Sequence, residues 1–223
     1  MNHVLDRPVW NALTTRQASF ARGGGHALRF DPQVGLFAAT RDGSAEGVLP
    51  LIPSGGGVAL VEIGEMAPPP GALVMQRAVL EQMIAPAITP GKAKFEIVPL
   101  GDGDAAEMLA LATLTEPGPF FRRTHQLGDF IGVKQNGKLV AMAGERMKPQ
   151  GFTEVSGVCT HPEHRGRGYA GGLMRIVAQR ILARGETPFL HVYAHNAGAI
   201  ALYEALGFHR RTAMHMTVLA RSS

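Results

Sequence analysis

Val158-Cys159-Thr160-His161-Pro162-Glu163-His164-Arg165-Gly166-Arg167-Gly168-Tyr169-Ala170-Gly171-Gly172-Leu173 reads as the end of a strand, a glycine-rich turn and the start of a helix. The first N–H groups of a helix have no intrahelical acceptor and carry the positive end of its dipole, so such a turn is a ready anion site. Glycine lets a phosphate approach the main chain with no Cβ in the way. Arg165 and Arg167 add positive charge beside it. A nucleotide-like diphosphate is the natural guest.

Working outward, Leu173, Ile176, Val177 and Ile181 share one helical face, with Arg175, Gln179 and Arg184 elsewhere, and Gly185 stops the helix. Pro188 leads into a strand over Phe189–Tyr193, and Asn196 can cap a short helix that runs to Leu206 and is closed by Gly207. A last strand is expected from Met214 to Leu219. Upstream, Phe152–Thr160 reads as a strand. Gln135-Asn136-Gly137-Lys138 sits between two apolar runs, the strongest short hairpin signal, because both turn residues must tolerate positive φ. Phe95–Val98 is strand-like, and Asp104–Leu114 repeats Met108, Leu111 and Ala112 at helical spacing. The order β-α-β-β-β-α-β-α-β predicts an α/β (α+β) fold with an antiparallel front and one strand–helix–strand crossover.

Residues 1–95 have a different texture. Gly23-Gly24-Gly25, Gly55-Gly56-Gly57 and Pro68-Pro69-Pro70 read as loops between short strands at Leu36–Thr40 and Val58–Glu62. Asp6 before Pro8 reads as a helix N-cap with proline in the first turn. Trp10, Phe20 and Phe30 are expected in a core, with the lining of an acyl or substrate pocket as the alternative.

Across its 223 residues the chain is 45% hydrophobic and 18% charged, ordinary for a globular protein long enough to bury a sizeable core. Its apolar runs fall short of the roughly 20 residues that a membrane helix needs, and the first residues lack a secretory layout. One cysteine, Cys159, rules out an internal disulfide and suits a reducing compartment, so cytoplasm is the expected location. A formal charge of +4, scattered in short clusters such as Arg122-Arg123 and Arg210-Arg211, argues against a nucleic-acid surface.

The cradle resembles that of the GCN5-related N-acetyltransferase (GNAT) superfamily, whose Arg/Gln-x-x-Gly-x-Gly/Ala is matched by Arg165-Gly166-Arg167-Gly168-Tyr169-Ala170. A second stretch, from Asn196 through Ala199, Leu202-Tyr203 and Gly207-Phe208, is similar to that family's other signature. Pro117-Gly118-Pro119-Phe120, Arg123-Thr124, Leu127-Gly128 and Ala141-Met142-Ala143-Gly144-Glu145-Arg146 look like its FR47-like branch. The resemblance covers residues 96–223. It implies a mixed, mostly antiparallel twisted sheet flanked by helices; residues 1–95 carry no such motif and read, from length and texture, as a degenerate acyltransferase-like half. It also implies an acetyl-CoA-dependent N-acetyltransferase that acts on an amine by direct attack, with coenzyme A as product.

By the same resemblance, the main chain of Val158, Cys159 and Thr160 pairs with the pantetheine arm, and Gly166, Arg167, Gly168, Tyr169, Ala170 and Gly171 hold the diphosphate behind Arg165. Asn196 binds the arm and Tyr203 protonates the leaving thiolate, a task that suits a phenol with an ordinary pKa of about 10. For the base, His191 stands where a related branch has a glutamate, and Glu154 and Glu145 are the carboxylate candidates. Ordinary packing is the competing reading of each. His161 and His164, with His195 further on, have a spacing that a metal could use, but lack an identifiable third ligand, so no metal is expected. Cys159 reads as a small core residue rather than a nucleophile. A catalytically idle CoA-binding module and an amino-acid N-acyltransferase that uses a longer acyl-CoA are the alternatives. The acceptor and the choice between monomer and homodimer stay open.

Overall fold

Asn136 and Gly137 both take positive φ, 50° and 76°, and close the expected hairpin. The computed structural model describes residues 3–222 and builds an eight-stranded sheet around that hairpin. In chain order, helix α1 (Pro8–Leu13) precedes a small antiparallel sheet of β1 (Ala21–Gly24), β2 (Ala27–Phe30) and β3 (Ala38–Thr40). Strands β4 (Gly57–Glu62), β5 (Ala72–Ile84) and β6 (Val98–Leu100) follow, then α2 (Ala105–Thr115). The hairpin is β7 (Phe130–Gln135) with β8 (Lys138–Glu145). Next come β9 (Phe152–Thr160), α3 (Tyr169–Ala183), β10 (Thr187–Tyr193), α4 (Ala197–Leu206) and β11 (His209–Arg221).

The large sheet runs β4-β11-β5-β10-β9-β8-β7-β6, and every neighbouring pair is antiparallel except β9 with β10. The mixed, mostly antiparallel sheet flanked by helices therefore stands as expected. The sheet also runs across residue 95: β5 lies between β10 and β11, while β11 reaches back to β4.

Period-two alternation divides the core. Ile131, Val133 and Ala143 face Leu173, Met174, Val177 and Ile181 of α3. Phe130, Met142 and Cys159 pack instead on Met108, Leu111 and Ala112 of α2. Each fully buried large aliphatic contributes about 1.5–3 kcal/mol, so α3 is held chiefly by the stripe visible in its sequence. A further core joins Val9 and Leu13 of α1 to Phe30, Phe37, Phe189 and Met214.

Three local readings need correction. Arg7, not Asp6, is the N-cap of α1, with Pro8 at its first position; Asp6 ends a short 3-10 turn and pairs with Arg211 at 2.8 Å. The strand expected at Phe95–Val98 forms later, at Val98–Leu100. Gly23 and Gly24 lie inside β1 rather than in a loop. Among the described residues no helix is long and apolar enough to cross a membrane.

Candidate functional site

Strands β9 and β10 pair only at Phe152–Glu154 with Thr187–Phe189, then diverge. Beyond that point β9 stays with β8 and β10 with β5, so the β10-facing edge of β9 from Val155 to Thr160 has no strand partner. A bulge sharpens the divergence: Met142–Gly144 of β8 spans Cys159–Ser156 of β9, and Gly157 takes φ 62°. The opened edge runs directly into the glycine turn. Gly166 and Gly168 adopt φ 75° and 74°, and a Cβ at either would meet nothing within 4 Å, so open space lies over this backbone. Gly168 is the N-cap of α3, and the first helical bond runs from Gly172 N–H to the Gly168 carbonyl at 3.0 Å. The N–H groups of Tyr169, Ala170 and Gly171 therefore lack helical acceptors.

A cavity of about 380 Å³ is lined by Val158, Cys159, Thr160 and the run His164–Gly171, with Thr115 and Leu202 opposite. All the residues expected to hold the donor, apart from Asn196, thus converge on one wall. Two polar atoms of this wall, Thr160 Oγ1 and His164 Nδ1, are buried without a hydrogen-bond partner, as groups awaiting a polar ligand would be. The ring of Tyr169 turns away into the core, edge-on to Phe95 at 4.8 Å, and leaves only its main chain in the cradle.

Thr115, Val158, Ala170 and Leu202 also line a second cavity, of about 340 Å³, so the two share a wall. Here Tyr203, His191 and Asn196 meet Phe37, Val61 and Leu80 from the first part of the chain. Burial raises the Tyr203 phenol pKa above its usual value, which keeps the proton on the oxygen. Asn196 Oδ1 accepts the Ala199 N–H at 3.1 Å and caps α4, which leaves its amide N–H₂ as the donor for a ligand.

Residues 130–216 match the FR47-like protein family. An N-alpha-acetyltransferase RimI from Mycobacterium tuberculosis is 34% identical over 36% of this chain and 52% of its own length. A [ribosomal protein bS18]-alanine N-acetyltransferase from Escherichia coli K12 is 35% identical over 35% and 53%. The chain spans about half the length of these curated relatives. A crystal structure of a GNAT-family protein from Novosphingobium aromaticivorans is 48% identical over the whole of both chains, with a TM-score of 0.94. The chain belongs to the GNAT family. A GCN5-related N-acetyltransferase from Kribbella flavida, 16% identical with a TM-score of 0.64 over 97% of this chain, shares the fold.

In this GNAT site the expected bases are placed differently from the cradle. Glu154 is fully buried, and Arg146 grips both its oxygens at 2.8 and 2.7 Å. Burial alone would raise its pKa, but the Arg146 charge and the hydrogen bonds from Arg146 and His191 outweigh it and lower it to about 2. So weak a proton acceptor does not fit the role of base. Its partner His191 has Nδ1 2.8 Å from Glu154 Oε1 and Nε2 3.0 Å from the amide nitrogen of Gln82. The Gln82 amide is oriented by Arg211, which donates to its Oε1, and by the Leu5 carbonyl, which accepts from its nitrogen at 2.9 Å. His191 Nε2 must therefore accept and Nδ1 must donate, so neither nitrogen keeps a free lone pair for an amine. Glu145, the other candidate, is buried in ion pairs with Arg184 and Lys148 and does not line the cavity.

Burial pushes the Cys159 thiol up to about 11, which suits a packed side chain. His161 and His164 are joined by Glu163, all within 4.8 Å, whereas His195 stacks on Tyr193 instead. The sequence reading missed Thr115, Glu116, Arg146 and the apolar wall of the second cavity. Its hints were Pro117-Gly118-Pro119 and Arg146, noted only for family texture, which supply part of that lining.

Proposed function

We propose that this chain transfers an acetyl group from acetyl-CoA to an amine. The reading is carried by one observation: an unpaired strand edge leads into a helix N-terminus with open glycine backbone, and this wall is shared with the cavity that holds Tyr203. In this reading Val158–Thr160 offers its free main chain to the pantetheine arm as an added strand would. The N–H groups of Tyr169, Ala170 and Gly171 take the diphosphate, with the exposed Arg165 and Arg167 beside it. Asn196 donates to the arm through its free amide. Acetyl-CoA supplies the activated thioester. Tyr203 delivers its proton to the departing sulfur, and the buried Arg146–Glu154–His191 network holds the floor of the acceptor cavity rather than taking a proton.

The test is release of free thiol from acetyl-CoA, and from longer acyl-CoAs, across a panel of amines, with Cys159→Ala as background control. Amine-dependent release fastest with acetyl-CoA is expected. Saturable acetyl-CoA binding with no turnover of any amine would replace the enzyme reading with a CoA-binding module.

A further inference from the structure

We infer that Glu116, the residue that ends α2, receives the protonated acceptor amine and takes its proton, and that the acceptor is an ammonium carried on an apolar body. This inference rests on the acetyl-transfer reading. Among the described residues Glu116, itself exposed, is the acidic residue that lines the Tyr203 cavity, whereas Glu154 is fully buried and does not line it. Among the described residues it has no ion-pair partner within 4.0 Å. The Thr115 before it lines both cavities, which sets Glu116 close to their junction.

The fold itself gives no reason for glutamate at this position. Glu116 takes φ 48° and ψ 53°, the left-handed conformation that glycine adopts without cost and that side chains with a Cβ resist. Its charge also sits at the carboxyl end of a helix, where the dipole repels an anion. Local geometry and local electrostatics both disfavour the residue. A strained position at the lip of a cavity points to a role in that cavity. The remaining walls, Phe37, Val61, Leu80 and Met216, are apolar and suit an alkyl or arylalkyl group.

The step balances. The ammonium gives one proton to the Glu116 carboxylate, and the freed nitrogen pair forms the N–C bond at the thioester carbon. The C–S bond breaks with its electron pair leaving on sulfur, which takes the Tyr203 proton. The surplus proton on the new amide nitrogen restores Tyr203, and Glu116 returns its own proton to water. The products are an N-acetyl amide, coenzyme A and one released proton.

Wild type, Glu116→Gln and Glu116→Gly are compared with 2-phenylethylamine as acceptor. Glu116→Gln should keep the wild-type Tm and the KM for acetyl-CoA while kcat/KM for the amine falls by about tenfold or more, the loss expected for a charge-assisted contact. Glu116→Gly should melt about 2–4 °C higher and lose as much activity, a divergence that a purely structural residue cannot produce. Unchanged kcat/KM and pH profile in Glu116→Gln would overturn the inference. If wild type binds acetyl-CoA but acetylates nothing, acetyl transfer falls. Glu116 is then judged by 2-phenylethylammonium binding to the acetyl-CoA complex, and equal affinity in wild type and Glu116→Gln overturns its role.

Discussion

Replacing Glu154 with Gln removes a buried charge and leaves its partner, the Arg146 guanidinium, in a site where only 11% of that side chain is exposed. The folded protein lowers the carboxyl pKa from 4.5 to about 2, because Arg146 and His191 overcome the penalty of burial. At about 1.4 kcal/mol per pH unit this corresponds to about 3 kcal/mol of preference for the ionised form, in line with the 3–5 kcal/mol typical of breaking one side of a buried pair. For a chain of this size, each kcal/mol moves Tm by about 2–4 °C, so Glu154→Gln should melt about 6–12 °C below wild type at neutral pH. A depressed carboxylate stabilises fully above its unfolded value and loses that stabilisation as pH falls through the folded value. The gap between the two proteins should therefore be widest above about pH 5 and close as pH falls towards about 2. Thermal unfolding followed by circular dichroism over that range reads both quantities. A gap of less than about 3 °C at neutral pH, or one that does not narrow in acid, would show that the pair carries no such stabilisation.

Tyr203→Phe should lower kcat by about 10²–10⁴-fold while acetyl-CoA affinity by calorimetry changes little; equal losses in both would make Tyr203 a packing residue. Gly168→Ala forces a Cβ into φ 74° and into the open space over the cradle. It should raise the KM for acetyl-CoA more than it lowers kcat, and lower Tm by about 2–4 °C, and an unaltered KM would place the diphosphate elsewhere.

The cradle was legible because its chemistry is written in consecutive residues. Gly166 and Gly168 are there for their backbone, and Leu173, Val177 and Ile181 mark the helix that follows. The Asn136-Gly137 hairpin was legible for the same local reason. Strand β5 was not. Its sequence, from Ala72 to Ile84, has neither clean alternation nor turn signals, and its partners β10 and β11 lie more than a hundred residues away. Pairing, not propensity, makes it a strand. The choice between base and packed residue for His191 and Glu154 was not legible for a related reason. His191 lines the second cavity and Glu154 is buried beneath it, but their hydrogen bonding is decided by Arg146 across a tight chain reversal and by Gln82 on the unread strand.

Strand β5 also explains why the first cavity was easier to read than the second. The wall of the first cavity comes entirely from residues 115–202, one stretch of chain with its own signatures. The second cavity is composite: Phe37, Val61 and Leu80 close it from one side of residue 95, and Tyr203 and Met216 from the other. Gln82 ties the Leu5 carbonyl, His191 and Arg211 into one buried network, so the two parts of the chain are joined at the cavity floor. The match to the FR47-like family covers residues 130–216 and so includes none of Phe37, Val61 and Leu80. On the acetyl-transfer proposal, acceptor preference is thus expected to be a property of the joint between the two parts of the chain. Substitutions at Phe37 or Leu80 should change which amine is used while leaving acetyl-CoA binding intact, and a shift in CoA affinity with an unchanged amine profile would refute that division.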